Sequence, residues 1–168
     1  MVATAAQVVD ALSRRGLTVA VAESCTGGLI GHLLTDVPGS SRVFLGGIVA
    51  YGNQPKRDLL GIPVDLLIAH GAVSAEVASA MAAGVRRAFG TDIGIGVTGI
   101  TGPTGGSEEK PIGTVYIACS AQAVTVERHQ WIAAGGESAE AGNAAREQNK
   151  LRSAVAALEV ILRCADIE

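Results

Sequence analysis

Apolar positions recur along the chain in two alternating rhythms, one helical and one extended. A T-x-x-Q capping box at Thr4 and Gln7 precedes Val8, Val9 and Leu12 at helical spacing, and Gly16 ends that run. Thr18–Ala22 is apolar and β-branched, short enough for a buried strand. A sharp turn over Glu23–Gly28 leads into a second helix ending near Thr35. Pro38, Gly39, Ser40 and Ser41 make a loop before a second strand at Val43–Tyr51, where Gly46 and Gly47 predict a bend or bulge. A short helix follows at Gln54–Leu60, with one more turn at Asp65–Ala69. Ser74 caps a helix whose buried stripe is Val77, Met81, Val85 and Phe89.

The second half opens with a strand at Ile93–Val97 and a glycine-rich loop from Thr98 to Gly113. Thr114–Ser120 and Val124–Ile132 form a hairpin turning near Ala121–Gln122. A long final helix carries Leu151, Val155, Leu158, Ile161 and Leu162 on one stripe. The order α-β-α-β-α-α-β-β-β-α predicts an α/β fold, a three-layer α/β/α sandwich on a mixed sheet of about five strands. With no repeat and no linker, residues 1–168 read as a single domain.

Composition narrows the ligand. The 13 Lys+Arg against 16 Asp+Glu leave a formal charge of −3, and aromatics make up 3% of the chain. Neither a basic face for a phosphate backbone nor a stacking platform for bases is present, so direct nucleic-acid binding is not expected. Glycine is in surplus: 22 residues, about 13% against an ordinary usage near 7%, which points to several tight loops. The three cysteines, Cys25, Cys119 and Cys164, are odd in number and far apart, with no His at zinc-ligand spacing. They support neither a disulfide frame nor a metal site and suggest a reducing compartment. The start lacks the pattern of a signal peptide, and no apolar run reaches about 18 residues. A cytoplasmic protein without a membrane partner is expected.

Gly94, Gly96 and Gly99 fit G-x-G-x-x-G, but they lie in a strand and open no helix, so a dinucleotide site is not implied. Glu23-Ser24-Cys25-Thr26-Gly27-Gly28 joins a strand to a helix, where backbone N–H groups and the hydroxyls of Ser24 and Thr26 can face an anion or simply cap the helix. Cys25 reads as a small packing residue, with nucleophile as the alternative. The loop from Thr98 to Gly113 holds five glycines at a strand end, where open α/β sheets bind ligands, yet lacks the Gly-Lys-Ser/Thr ending of a P-loop. His32, His70 and His129 fall in separate elements and suggest no catalytic pair. Arg146 and Lys150 share a helix face, able to meet a phosphate or to remain solvated.

Together AESCTGG (Ala22–Gly28), PGSS (Pro38–Ser41), VAYGNQPK (Val49–Lys56), HGAVS (His70–Ser74) and TGITGPTGGSEEKPIGTVY (Thr98–Tyr116) resemble the CinA family, specifically its C-terminal domain. The resemblance runs from about Val8 to Leu162. It implies a three-layer fold and hydrolysis of the carboxamide of nicotinamide mononucleotide to nicotinate mononucleotide and ammonia, with no metal and no cofactor. By resemblance, Ser41 is the nucleophile, Lys56 the general base and Thr98 its support, with Glu23 and Tyr51 in the same site. Ser24, Thr26, Gly27, Gly99 and Gly102 are expected to contact substrate, and glycine-loop amides to hold the oxyanion. The family's phosphate-binding Arg falls on Arg146, with Lys150 the next basic position. The family's Gly-Asp-Arg, however, is replaced here by Asn143-Ala144-Ala145-Arg146, after an enlarged loop from Gly135. Two rival functions remain: an amidohydrolase for another amide, and a non-enzymatic accessory of DNA uptake or damage response acting through protein partners.

The expected dyad raises a question of reach. Nine extended residues, Val43–Tyr51, span roughly 30 Å, whereas a Ser–Lys hydrogen bond needs about 3 Å. Either Gly46–Gly47 folds the chain back, or Ser41 of one subunit meets Lys56 of another. A homodimer or higher homo-oligomer is therefore expected.

Overall fold

The computed structural model describes residues 2–131 and 139–167. Helix α1 (Val2–Arg15), strand β1 (Val19–Glu23), helix α2 (Leu29–Thr35), a 3-10 turn (Ser40–Arg42) and strand β2 (Phe44–Val49) come first. Helices α3 (Asn53–Leu60), α4 (Val64–His70) and α5 (Ala75–Phe89) follow, then strands β3 (Ile93–Gly99), β4 (Thr114–Ser120) and β5 (Val124–Gln130), and helix α6 (Ala139–Ile167). The sheet order is β2-β1-β3-β4-β5. Strands β2, β1 and β3 run parallel and β4 and β5 antiparallel. Five mixed strands between two helical layers make the α/β/α sandwich that the alternation of elements predicts.

Each helical layer buries apolar side chains on the sheet, including most of the stripes expected for α1 and α5 and the centre of that expected for α6. Val8 and Leu12 of α1, Ile30 and Leu34 of α2, and Leu158 and Ile161 of α6 pack on Val21, Ile95 and Ile117 of the sheet. On the opposite face, Leu60 of α3, Leu67 of α4, and Val77, Met81 and Val85 of α5 pack on Ala20 and Ala22. Ser74 caps α5, its Oγ accepting from the Val77 N–H at 3.2 Å.

The glycines of the failed dinucleotide match have a packing role. A Cβ on Gly94 would lie 2.2 Å from the Ala82 carbonyl oxygen, and one on Gly96 2.3 Å from that of Ala78. Helix α5 thus lies directly on the backbone of β3, an approach only glycine permits.

Several local expectations require correction. Helix α1 begins at Val2, so Thr4 lies inside the first turn and does not cap it. Helix α4 forms two turns, and α6 starts far upstream of its apolar stripe. Strand β2 is shorter than Val43–Tyr51. Its register slips between Val19 and Ala20, which pair with Phe44 and Gly46, so Leu45 is the bulged residue. The bulge exchanges the faces to which later side chains point, but it does not turn the chain back. Cys119 of β4 and Cys164 of α6 form a disulfide, contrary to the expectation from their spacing, because α6 packs across β4 and brings together residues 45 apart. Cys25 is the free cysteine. Ile132 and the loop from Gly135 lie outside the described residues.

Candidate active site

Three parallel strands end on the same side of the sheet, and the site is assembled there. Ser24 directly follows β1, and its N–H donates to the Val97 carbonyl of β3 at 3.0 Å. On the other flank the Ala50 N–H, just past β2, donates to the Glu23 carbonyl at 2.8 Å. The chain then turns into α3, whose Lys56 points back under Ser24. Lys56 is 1% exposed. Its Nζ lies 3.0 Å from Ser24 Oγ, 2.7 Å from the Ala50 carbonyl oxygen, 3.1 Å from that of Tyr51 and 3.4 Å from that of Gly52.

Electrostatics favour a Lys56 that gives up its proton readily. Burial removes solvent from the ammonium and lowers its pKa below the ordinary lysine value, with the nearby Cys25 thiol a smaller opposing influence. As an ammonium, Nζ donates to Ser24 Oγ as well as to the backbone carbonyls. On losing a proton it would keep two N–H bonds for the Ala50 and Tyr51 carbonyls and turn its lone pair to the Ser24 hydroxyl. A serine hydroxyl beside a buried lysine amine is what a nucleophile and its base require.

Glu23 has a different part from the one expected. Its Oε2 accepts from the Gly28 and Ile30 N–H groups at 3.0 and 3.1 Å, and its Oε1 from Gly31 at 2.9 Å. The carboxylate is buried and satisfies the first amides of α2. The anion at this helix start is therefore supplied by the protein, and Glu23 shapes the turn that presents Ser24. Thr26 is buried beneath the same turn, and its hydroxyl has no hydrogen-bond partner among the described residues. Gly27 backs onto α6, where a Cβ would lie 3.8 Å from Lys150 Nζ.

A cavity of about 260 Å³ opens over the pair, lined among others by Ser24, Tyr51, Lys56, Thr98, Gly102 and Arg146. Gly99 and Cys25 also border it. Thr98 Oγ1 donates to the Ala72 carbonyl at 2.7 Å and so ties β3 to the α4–α5 connection. Arg146 donates to the Tyr51 hydroxyl at 2.7 Å and to the Gly102 carbonyl, spanning the cavity mouth from α6. A neighbouring cavity of about 380 Å³ contains Lys150, Asn143 and Glu147 and shares Arg146. The Cys25 thiol is pushed up to about 12, chiefly by burial, so it is a poor thiolate source beside Ser24. Among the described residues no three or more His, Cys, Asp or Glu side chains are grouped as a metal site.

Ser41 is not in this site. It sits exposed in the 3-10 turn before β2, with the length of that strand, roughly 20 Å, between it and the Lys56 end. Ser24 occupies Lys56 within the same chain, so the distance from Ser41 no longer calls for a second subunit. The sequence held the signal in Glu23-Ser24-Cys25-Thr26-Gly27-Gly28 at a strand end. What it lacked was the neighbour relation of β1 and β2. The cavity wall from Ala72 and Val73, and the buried Asn149 behind the glycine-rich loop, also escaped sequence reading.

Comparison with known proteins agrees with this architecture. Residues 2–165 match the model of the CinA C-terminal domain. A CinA-like protein of Chlorobaculum tepidum is 49% identical over 159 residues, 92% of this chain and 36% of its own. A CinA-like protein of Myxococcus xanthus is 57% identical over 122 residues, 73% of this chain and 29% of its own. The chain thus spans about a third of the length of these curated relatives. Among solved structures, the competence/damage inducible protein CihA of Agrobacterium tumefaciens superposes with a TM-score of 0.88 at 36% identity, covering 97% of this chain and 94% of the other. A CinA superfamily protein of Klebsiella pneumoniae gives 0.88 at 26% identity, covering 99% and 98%.

Proposed function

The chain belongs to the CinA C-terminal domain family, and from that membership we propose that it hydrolyses the carboxamide of nicotinamide mononucleotide, with Ser24 as nucleophile and Lys56 as general base. The observation that carries this reading is the 3.0 Å contact between Ser24 Oγ and a buried Lys56 Nζ at the floor of a cavity. Neutral Lys56 takes the Ser24 proton as Oγ bonds to the amide carbon. The resulting ammonium returns that proton to the amide nitrogen, the C–N bond breaks and ammonia leaves. Water then attacks the ester, gives its proton to Lys56, and the Ser24–carbon bond breaks with the proton passing back to Oγ. Every proton is accounted for without a metal ion.

Arg146 and Lys150 give the second cavity two cations, which suits a phosphate at the far end of a mononucleotide whose amide lies over Ser24. Tyr51 holds Arg146 in place by accepting its Nη2–H. Thr98 holds the α4–α5 connection against the cavity. Asn143-Ala144-Ala145-Arg146 in place of the family's Gly-Asp-Arg favours a second reading, the same chemistry on a different amide. Ammonia release by the purified chain from nicotinamide mononucleotide, beside nicotinamide riboside and free nicotinamide, tests both. Release from the mononucleotide that Ser24→Ala loses supports the proposal. Preference for a phosphate-free amide moves the substrate assignment, and no release from any of the three overturns the assignment to a nicotinamide carboxamide.

A further inference from the structure

A serine hydrolase needs donors for the oxyanion as well as a base, and the peptide groups of the glycine-rich loop have fixed directions. The Thr101 carbonyl accepts from Asn149 Nδ2 of α6 at 3.1 Å. Because the peptide unit is planar and trans, the Gly102 N–H points opposite to that carbonyl, away from Asn149. The preceding carbonyl, of Ile100, accepts from Gly113 at 2.7 Å, which turns the Thr101 N–H away from Gly113. Among the described residues neither the Thr101 nor the Gly102 N–H donates to another protein group. Thr101 and Gly102 both line the Ser24 cavity. The next peptide offers no donor, since Pro103 has no N–H, and its Gly102 carbonyl is held by Arg146.

Asn149 is an unusual residue for its place. Its side chain is fully buried, and its Oδ1 accepts no hydrogen bond from the described residues. The amide cannot be reversed, because Oδ1 would then face the Thr101 carbonyl oxygen. An apolar residue would fill the same space without an orphaned acceptor, so the Nδ2 contact is what the position retains.

We infer that the Gly102 N–H is an oxyanion donor for the acyl-transfer chemistry at Ser24, and that Asn149 is the positioning residue that aims it. This rests on the amidohydrolase reading given above. Arg146 and Asn149, three residues apart on α6, hold the carbonyls of two successive loop residues, Gly102 and Thr101, and so determine how that loop presents its backbone.

The test compares Asn149→Leu and Ser24→Ala in ammonia release from nicotinamide mononucleotide, with thermal unfolding of each. Asn149→Leu should lower kcat about 10- to 100-fold, within what a misaimed oxyanion donor costs, with KM changed by less than about twofold. Asn149→Gln should recover part of the loss. A second reading needs no variant. When 3-pyridylboronic acid forms its tetrahedral adduct on Ser24, the backbone amide proton of Gly102 in the wild-type protein should shift downfield more than those of the neighbouring loop residues. An adduct that leaves Gly102 unmoved overturns the assignment, as does kcat within twofold of wild type in folded Asn149→Leu. Hydrolysis retained by Ser24→Ala, or an absent adduct, overturns the underlying nucleophile and this inference with it.

Discussion

Lys56 Nζ and Ser24 Oγ lie 3.0 Å apart although 32 residues separate them. One comes from the first turn of α3, the other from the residue after β1. The contact exists because β1 and β2 are parallel neighbours whose C-terminal ends coincide, so that whatever follows each strand meets at one edge.

Ser24→Ala should reduce amide hydrolysis by at least about a thousandfold, as loss of a nucleophile does. Ser41→Ala should stay within about twofold of wild type, since an exposed turn serine makes no contact with the dyad. Steady-state kinetics on both variants decides between them, and loss of activity in Ser41→Ala alone would restore the earlier pairing. Mixed oligomers of Ser24→Ala and Lys56→Ala chains should show no recovery, because one chain supplies both groups.

The pH dependence follows from the depressed Lys56 pKa. Only the neutral amine accepts the Ser24 proton, so kcat/KM should rise with pH through the folded-state pKa of Lys56, with its inflection below the ordinary lysine value. Stability moves in the same direction. Between the folded and unfolded pKa values the unfolded chain binds more protons, so the unfolding free energy also rises with pH there. Lys56→Met should remove that slope in urea titrations measured across the window. An inflection at or above the ordinary value would contradict the role of burial.

Glu23→Gln should destabilise the fold by about 1–3 kcal/mol, because an amide NH₂ would face N–H donors that the carboxylate now satisfies. Activity should fall as well, since the turn carrying Ser24 is shaped by those bonds. Urea midpoints at constant m-value, with kcat on the same samples, provide the check. Unchanged stability would mean that the α2 amides find other partners.

Cys25 should resist alkylation in the folded protein at pH 8, where a thiol with a pKa near 12 is almost wholly protonated. Cys25→Ala should keep most activity. Rapid labelling by iodoacetamide in the native state, accompanied by inactivation, would return Cys25 to consideration as nucleophile.

Gly96→Ala should cost more stability than Gly90→Ala. The first places a Cβ against the Ala78 backbone oxygen, where neither partner can give way, a clash worth about 1–3 kcal/mol. The second meets open space and carries only the strain of a positive φ, about 1 kcal/mol. Thermal or urea unfolding of the two variants ranks them, and the reverse order would mean that α5 can lift from β3.

The elements of this protein are legible locally because each depends on residues within one or two turns of each other. Val77, Met81 and Val85 mark the buried face of α5 by spacing alone, and the apolar run around Val19–Ala22 marks β1 by length and branching. Helix α6 shows where such signals fail. Its first half, with Arg146, Asn149 and Lys150, serves the loop and cavities as well as the core, so an apolar stripe becomes visible only near Leu151. The chemistry of the site was present as residue types: a serine at a strand end, a lysine on a short helix, glycines beyond β3. Their pairing was not. The sequence resemblance pairs Lys56 with Ser41, and only the order β2-β1-β3, with its parallel sense, brings Ser24 onto the amine instead. Which strand lies beside which is settled by burial summed over the whole sheet, and no window of sequence contains that sum.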